Sequence, residues 1–181
     1  MKPETQSLYQ AAIIFATEKH IEENQTIPGT DLPYVVHLSN VAMEILIASS
    51  FSTFDLDFAI QLALLHDTLE DTSTTFEQLK TAFGQEIAEG VKALSKDSEI
   101  PKDERMTDSL SRIKTQRKEV WAVKIADRIT NLQKPPKHWT LEKKKEYQKQ
   151  AIQILQTFEG ANDYLENRLK QKIEEYKQYF D

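Results

Sequence analysis

The run Phe58-Ala59-Ile60-Gln61-Leu62-Ala63-Leu64-Leu65-His66-Asp67 decides the fold. On a helix its apolar side chains point in every direction, and a helix apolar all round belongs in a core. Its last two residues therefore carry an imidazole and a carboxylate into the interior. A buried carboxylate has to be paired, hydrogen-bonded or bound to a cation. Two further residues sit in comparable settings. His37 follows Pro33-Tyr34-Val35-Val36 and opens a helical run, and Asp127 lies within the largely apolar stretch 120–132. Taken alone, His37 would read as a packed or capping histidine. Taken together, two imidazoles and two carboxylates form a nitrogen and oxygen ligand set suited to one first-row divalent ion with positions left open for water. The chemistry indicated is metal-assisted hydrolysis.

Outward from this run, helical spacing dominates, strand signals are scarce, and only four glycines and six prolines punctuate the chain. The spacing predicts a first helix over 4–23, with Ala11, Ile14, Phe15 and Glu18 at helical spacing, and a loop over 24–33. A second helix runs from about His37 to Ser50, and a third from an N-cap at Asp55 to about Asp71. Thr74 or Thr75 caps a short helix to Phe83, and Gly84 leads into another ending near Leu94. Beyond a polar loop over 95–104, helices follow at 105–116 and 118–132, and Pro135-Pro136 breaks the chain. Thr140 opens a long helix to about Phe158, and Gly160 separates it from a last one striped by Leu165, Leu169, Ile173 and Tyr176. The expectation is one all-α domain over residues 1–181, a bundle of eight or nine helices.

The chain has no cysteine, which excludes disulfides, iron–sulfur clusters and thiolate zinc sites. No apolar leader or membrane-length run occurs, so a cytoplasmic protein without membrane attachment is expected. A net charge of −6 argues against a nucleic-acid polymer as partner. Residues 92–137 nevertheless hold 12 Lys and Arg against 7 Asp and Glu. That segregation is either ordinary surface scatter or a set of phosphate-binding cations facing a metal.

The segment Leu64–Thr72 carries three acids in five residues. On a continuous helix His66 and Glu70 share a face, as do Asp67 and Asp71. Carboxylates at a helix C-terminus oppose the macrodipole and call for a compensating cation. Glu70 and Asp71 are therefore expected beside the metal, orienting or deprotonating the attacking water. Lys124, Asp127 and Asn131 form a narrow polar stripe on an otherwise apolar helix, as a site wall would. Lys124 reads also as a simple ion-pair partner of Asp127. His20 and His138 stay ambiguous, with a structural role favoured for each, and one metal is expected rather than two.

In order and spacing, His37, His66-Asp67 and Asp127 resemble the H…HD…D signature of the HD-domain metal phosphohydrolases. "PYVVH", "ALLHDTLEDT", "FGQEIAEGV" and "VKIADRITNL" are similar to the hydrolase domain of RelA/SpoT homologues and to the stand-alone small alarmone hydrolases, from about Ala11 to Asn167. The resemblance implies His37, His66, Asp67 and Asp127 as ligands of Mn²⁺ or another first-row divalent ion, with Glu70 and Asp71 managing the water. It implies Asn131 as a ribose contact and Lys102 with Arg105 as a basic pair near a diphosphate. Lys124 and Arg128 of the basic segment are also expected to face the substrate. Family members carry guanine-contacting Arg and Lys before the Pro-Tyr, and residues 22–31 here contain neither.

The expected activity is a metal-dependent 3′-pyrophosphohydrolase removing the 3′-diphosphate from guanosine alarmones of the (p)ppGpp type, with no synthetase activity. A related nucleotide such as (p)ppApp is the alternative substrate. A catalytically silent nucleotide-binding regulator is the alternative of another class. The partner is a small nucleotide, and the sequence is silent on oligomeric state.

Overall fold

The computed structural model describes residues 3–97 and 99–180. Its α-helices are α1 (Pro3–Glu22), α2 (Val35–Ala48), α3 (Leu56–Leu65), α4 (Thr68–Asp71), α5 (Phe76–Phe83), α6 (Gln85–Leu94), α7 (Arg105–Lys114), α8 (Lys118–Asn131), α9 (Leu141–Thr157) and α10 (Asp163–Tyr176). A 3₁₀ turn, Lys177–Tyr179, follows α10, and an isolated bridge between Thr26 and Pro33 pinches the loop between α1 and α2.

Every residue of α3 from Phe58 to Leu65 is buried, and the helix packs against α1, α2, α6 and α8. Burying one such aliphatic side chain is worth about 1.5–3 kcal/mol, so this helix anchors the bundle. Helix α8 is the second buried axis, enclosed from Ala122 to Thr130 by α2, α3, α9 and α10. The approach of α6 to α3 depends on Gly90, where a Cβ would lie 2.7 Å from Leu62 Cδ2.

Helix starts follow local chemistry. Asp55 accepts from the Phe58 amide, Thr140 from Lys143, and Asn162 from Leu165. Of the two candidate caps for α5, Thr75 is the one used, in a reciprocal capping box with Gln78. The stripe Leu165, Leu169, Ile173 and Tyr176 is buried as its spacing predicts.

Two sequence expectations change. The inward face of α1 is Thr5, Ala12, Ala16 and His20, whereas Ile14 is 57% exposed and Ala11 and Glu18 face solvent. Small side chains let α1 lie close to α3, and that proximity outweighs the pull of one large aliphatic. The predicted third helix also divides in two, at His66 and Asp67. Asp67 takes φ −99° and ψ −2°, and the Thr68 hydroxyl donates to the Leu65 carbonyl that the break leaves over. The division brings the described α-helices to ten, α4 being a single turn.

Candidate metal centre

The centre lies where α2, α8 and the break after α3 converge. His37 sits in the first turn of α2, His66 caps α3, Asp67 occupies the turn, and Asp127 lies on the inner face of α8. His37, His66 and Asp127 each offer a ligand atom within 4.8 Å of the other two. His37 Nε2 is 3.4 Å from His66 Nε2 and 3.5 Å from Asp127 Oδ1, and His66 Nε2 is 3.7 Å from that same oxygen. Asp67 Oδ2 joins from the other side, 2.9 Å from His66 Nε2 and 3.7 Å from His37 Nε2. Metal–ligand bonds of about 2.0–2.2 Å give shell edges of about 3.0–3.5 Å, so His37, His66 and Asp127 are spaced as a group that could hold a divalent ion, with the Asp67 carboxylate beside them.

The orientation of each donor has a visible cause. The carbonyl of Ala63 faces His66 Nδ1 at 2.9 Å, and the Thr130 hydroxyl faces His37 Nδ1 at 3.3 Å while donating to the Asp127 carbonyl. Both rings thus turn Nε2 to the common point. Lys124 Nζ donates to Asp127 Oδ2 at 3.1 Å, and the Asn131 amide donates to Asp127 Oδ1. The Tyr34 hydroxyl donates to Asp67 Oδ2.

Charge is concentrated here. Burial alone would lower the His66 pKa, but the Asp67 and Asp127 carboxylates outweigh it and raise it to about 10. Burial would raise Asp127, yet the Lys124 ammonium and bonds from His37 and His66 hold it well below the usual carboxylate range. Asp67 is likewise held low against its burial, chiefly by His66. Burial and the Asp67 charge push the Tyr34 phenol far up, so its hydroxyl stays a donor.

A cleft of about 490 Å³ opens over the centre. Its walls include Glu70, Asp71, Lys102, Arg105, Lys124, Arg128 and Asn131 together with His37, Asp67 and Asp127. His66 stands behind this wall, and His138 is exposed away from it. Although the helix breaks, Glu70 and Asp71 still reach the cleft, through the turn of α4 rather than through a shared helical face. Glu70 accepts from the Lys96 amide and ammonium, both at 2.9 Å. The Asp71 carboxyl, through burial and the neighbouring Asp67 and Glu70 charges, is raised to about 6.

The cations divide as well. Arg128 is 6% exposed, lies over the Tyr147 ring at 4.2 Å, and has an Nε without a hydrogen-bond partner. Arg112 and Arg117 of the basic segment instead serve structure. Arg112 ties the carbonyls ending α6, and Arg117 pairs with Asp55 and Glu119. Sequence reasoning missed Lys96 and Tyr147 as cleft residues. The acid-rich 66–71 segment was the available signal for a cation such as Lys96, and nothing marked Tyr147.

A family model described as HD domain matches residues 12–163. The chain belongs to the HD-domain family. Within it, the guanosine-3′,5′-bis(diphosphate) 3′-pyrophosphohydrolase of Danio rerio is 35% identical, over 87% of this chain and 87% of that protein. Its Homo sapiens counterpart is 32% identical over 94% of each. In three dimensions this HD-domain chain is similar to a solved metazoan orthologue of SpoT, with TM-score 0.79, 24% identity, and coverage of 97% and 96% of the two chains. Among the described residues no helix is long and apolar enough to cross a membrane.

Proposed function

We propose that this HD-domain chain, as one domain over residues 1–181, is a metal-dependent 3′-pyrophosphohydrolase acting on guanosine 3′,5′-bis(diphosphate) and its close relatives. The observation that carries the reading is a four-donor centre on the floor of the same cleft that holds Lys102, Arg105, Lys124 and Arg128. Arg128 speaks for an anionic ligand most directly: a buried guanidinium with an unpartnered Nε fits phosphate oxygens, which it binds with directional donors. The relatives in Danio rerio and Homo sapiens, by their names, act on that nucleotide.

His37, His66, Asp67 and Asp127 would hold the ion, with Mn²⁺ the proposed metal. A divalent ion there would polarise a phosphoryl oxygen and make water more acidic. The protein's own groups do the rest. Asp71, with its carboxyl raised to about 6, accepts a proton from the attacking water near neutral pH. Glu70 is held at the rim by Lys96 and fixes that side of the cleft. Arg128 and Lys124 face the phosphoryl group beside the centre, and Lys102 and Arg105 receive the leaving diphosphate. Asn131, bonded to Asp127, stands where a sugar hydroxyl would meet the wall.

A second reading, a purine-tolerant enzyme that also takes (p)ppApp, is favoured by one observation. Ile27 and Pro28 bring the 22–31 segment to the cleft, and that segment has no Lys or Arg. Pyrophosphate release from ppGpp, pppGpp, ppApp and ordinary nucleotides with Mn²⁺ is the test. Release from ppGpp is the expected result. Metal binding without turnover of any of them would favour a silent nucleotide-binding regulator instead.

A further inference from the structure

The four metal donors are not held alike. His66 and Asp127 are oriented from their own helices, by the Ala63 carbonyl and by Lys124 with Asn131. His37 is oriented by Thr130 of the neighbouring helix α8. Asp67 stands at the junction of α3 and α4: its carbonyl accepts the Asp71 amide at 2.9 Å, but its carboxylate makes no capping bond to its own helix. Among the described residues the only donor to its side chain from outside the ligand set is the Tyr34 hydroxyl, which arrives from the loop before α2. It reaches Oδ2, the oxygen that faces both imidazoles.

Tyr34 is itself caged. Its ring stacks on His20 with centroids 4.5 Å apart and planes at 27°, and meets His37 at 5.2 Å on the way into α2. His20 is 1% exposed, and its Nδ1 lies 2.5 Å from Gln25 Oε1. Since that oxygen only accepts, the imidazole donates there. Gln25 is the hub: its amide nitrogen donates to the Asp71 carbonyl, its main-chain amide to the His20 carbonyl at 3.0 Å, and its carbonyl accepts the Tyr34 amide at 3.3 Å. The elements on either side of the centre, α1 and the α4 turn, are thus tied to the residue carrying the phenol. His20 lies behind the ring of Tyr34, outside the ligand set.

We propose that Tyr34 is the positioning residue for Asp67, with His20 and Gln25 as the scaffold that aims its hydroxyl. The phenol holds Oδ2 between the two Nε2 atoms, so the fourth donor is in place before an ion arrives. This rests on the metal-centre reading, and its test separates the two. Partners that orient metal ligands are worth about 10–100-fold in affinity. Tyr34→Phe keeps the ring between His20 and His37 and removes only the donor.

The experiment is a titration of metal-free protein with Mn²⁺ alone, wild type beside Tyr34→Phe, with the melting temperature of both metal-free proteins and kcat and KM of both loaded enzymes. The expected result is a Kd raised about tenfold or more, metal-free melting temperatures alike, and kcat lowered at saturating metal with KM unchanged. An unchanged Kd overturns the proposal, whether the variant merely melts earlier, as packing would dictate, or shows a raised KM, as a substrate contact would. Wild-type protein that binds no Mn²⁺ overturns the metal-centre reading along with it.

Discussion

His66 Nε2 and Asp67 Oδ2 lie 2.9 Å apart, although the two residues are neighbours in the chain. On an uninterrupted helix successive side chains diverge by about 100°, and these two would face different elements. The turn at Asp67 removes that divergence, bringing His66 Nε2 to 3.7 Å from Asp127 Oδ1 and Asp67 Oδ2 to 3.7 Å from His37 Nε2. The cost is a helix end and an excess of charge in the interior, and each has a measurable consequence.

Asp127→Asn keeps the shape of the side chain and removes its charge. Mn²⁺ affinity is expected to fall at least about a hundredfold, with turnover falling alongside. Calorimetric titration and pyrophosphate release measure both. Full turnover after chelation, in this variant or in Asp67→Ala, would rule out the metal mechanism.

Metal binding to the empty protein has to displace a proton from His66, whose pKa is raised to about 10. Affinity is therefore expected to rise with pH from 6.5 upward, with net proton release in calorimetry across buffers of differing ionisation enthalpy. The sign for stability is the opposite. The folded protein keeps a proton that the unfolded chain loses above about pH 6.5, so the contribution is complete below that pH and is lost as pH rises towards 10. Melting of the metal-free protein that stays level from pH 6.5 to 10 would contradict the assignment.

Glu70 and Asp71 are expected to separate in their pH–rate profiles. Asp71→Asn should lower kcat by about 10²–10⁴-fold and abolish the acidic limb that a carboxyl near 6 imposes. Glu70→Gln breaks the ion pair to Lys96 but leaves that limb in place, with a smaller loss of rate. Undiminished turnover in Asp71→Asn would transfer the proton-accepting role elsewhere.

Arg128→Met should stabilise the free protein while damaging it as an enzyme. Replacing a buried cation that has no anionic partner among the described residues by an apolar side chain removes a desolvation penalty of about 1–3 kcal/mol. KM should rise, since the guanidinium no longer meets the phosphates. Thermal melts without ligand and KM on ppGpp read the two effects; a lower melting temperature would mean that the stacking on Tyr147 outweighs the unpartnered Nε.

Much of this was legible in the chain because it follows from local chemistry. Asp55 and Thr140 announce their helices because a side-chain oxygen three residues ahead of an orphan amide is a local relationship. The cluster of His66, Asp67 and Asp127 was legible because His66-Asp67 ends an apolar run and Asp127 interrupts one, and polar groups in such places need partners. The inward face of α1 was not legible: Ile14 is the more hydrophobic residue, but Ala12 and Ala16 fit the available space. Nor was the pairing of Lys96 with Glu70, 26 residues away, which depends on how the loop after α6 passes α4.

The sequence by itself determined an all-α fold and marked His37, His66, Asp67 and Asp127 as a candidate ligand set, because helical periodicity, capping and the cost of burying charge act within a few residues or on composition. Only the tertiary structure decided that the helix parts at His66 and Asp67, that five cations of the basic segment line the cleft while others tie down helices, and that a tyrosine 33 residues earlier donates to the Asp67 carboxylate. Those are matters of position between elements distant in sequence. They exist only once α2, α3 and α8 are packed, because hydrogen-bond geometry acts over a few ångströms and no pattern along the chain encodes that distance.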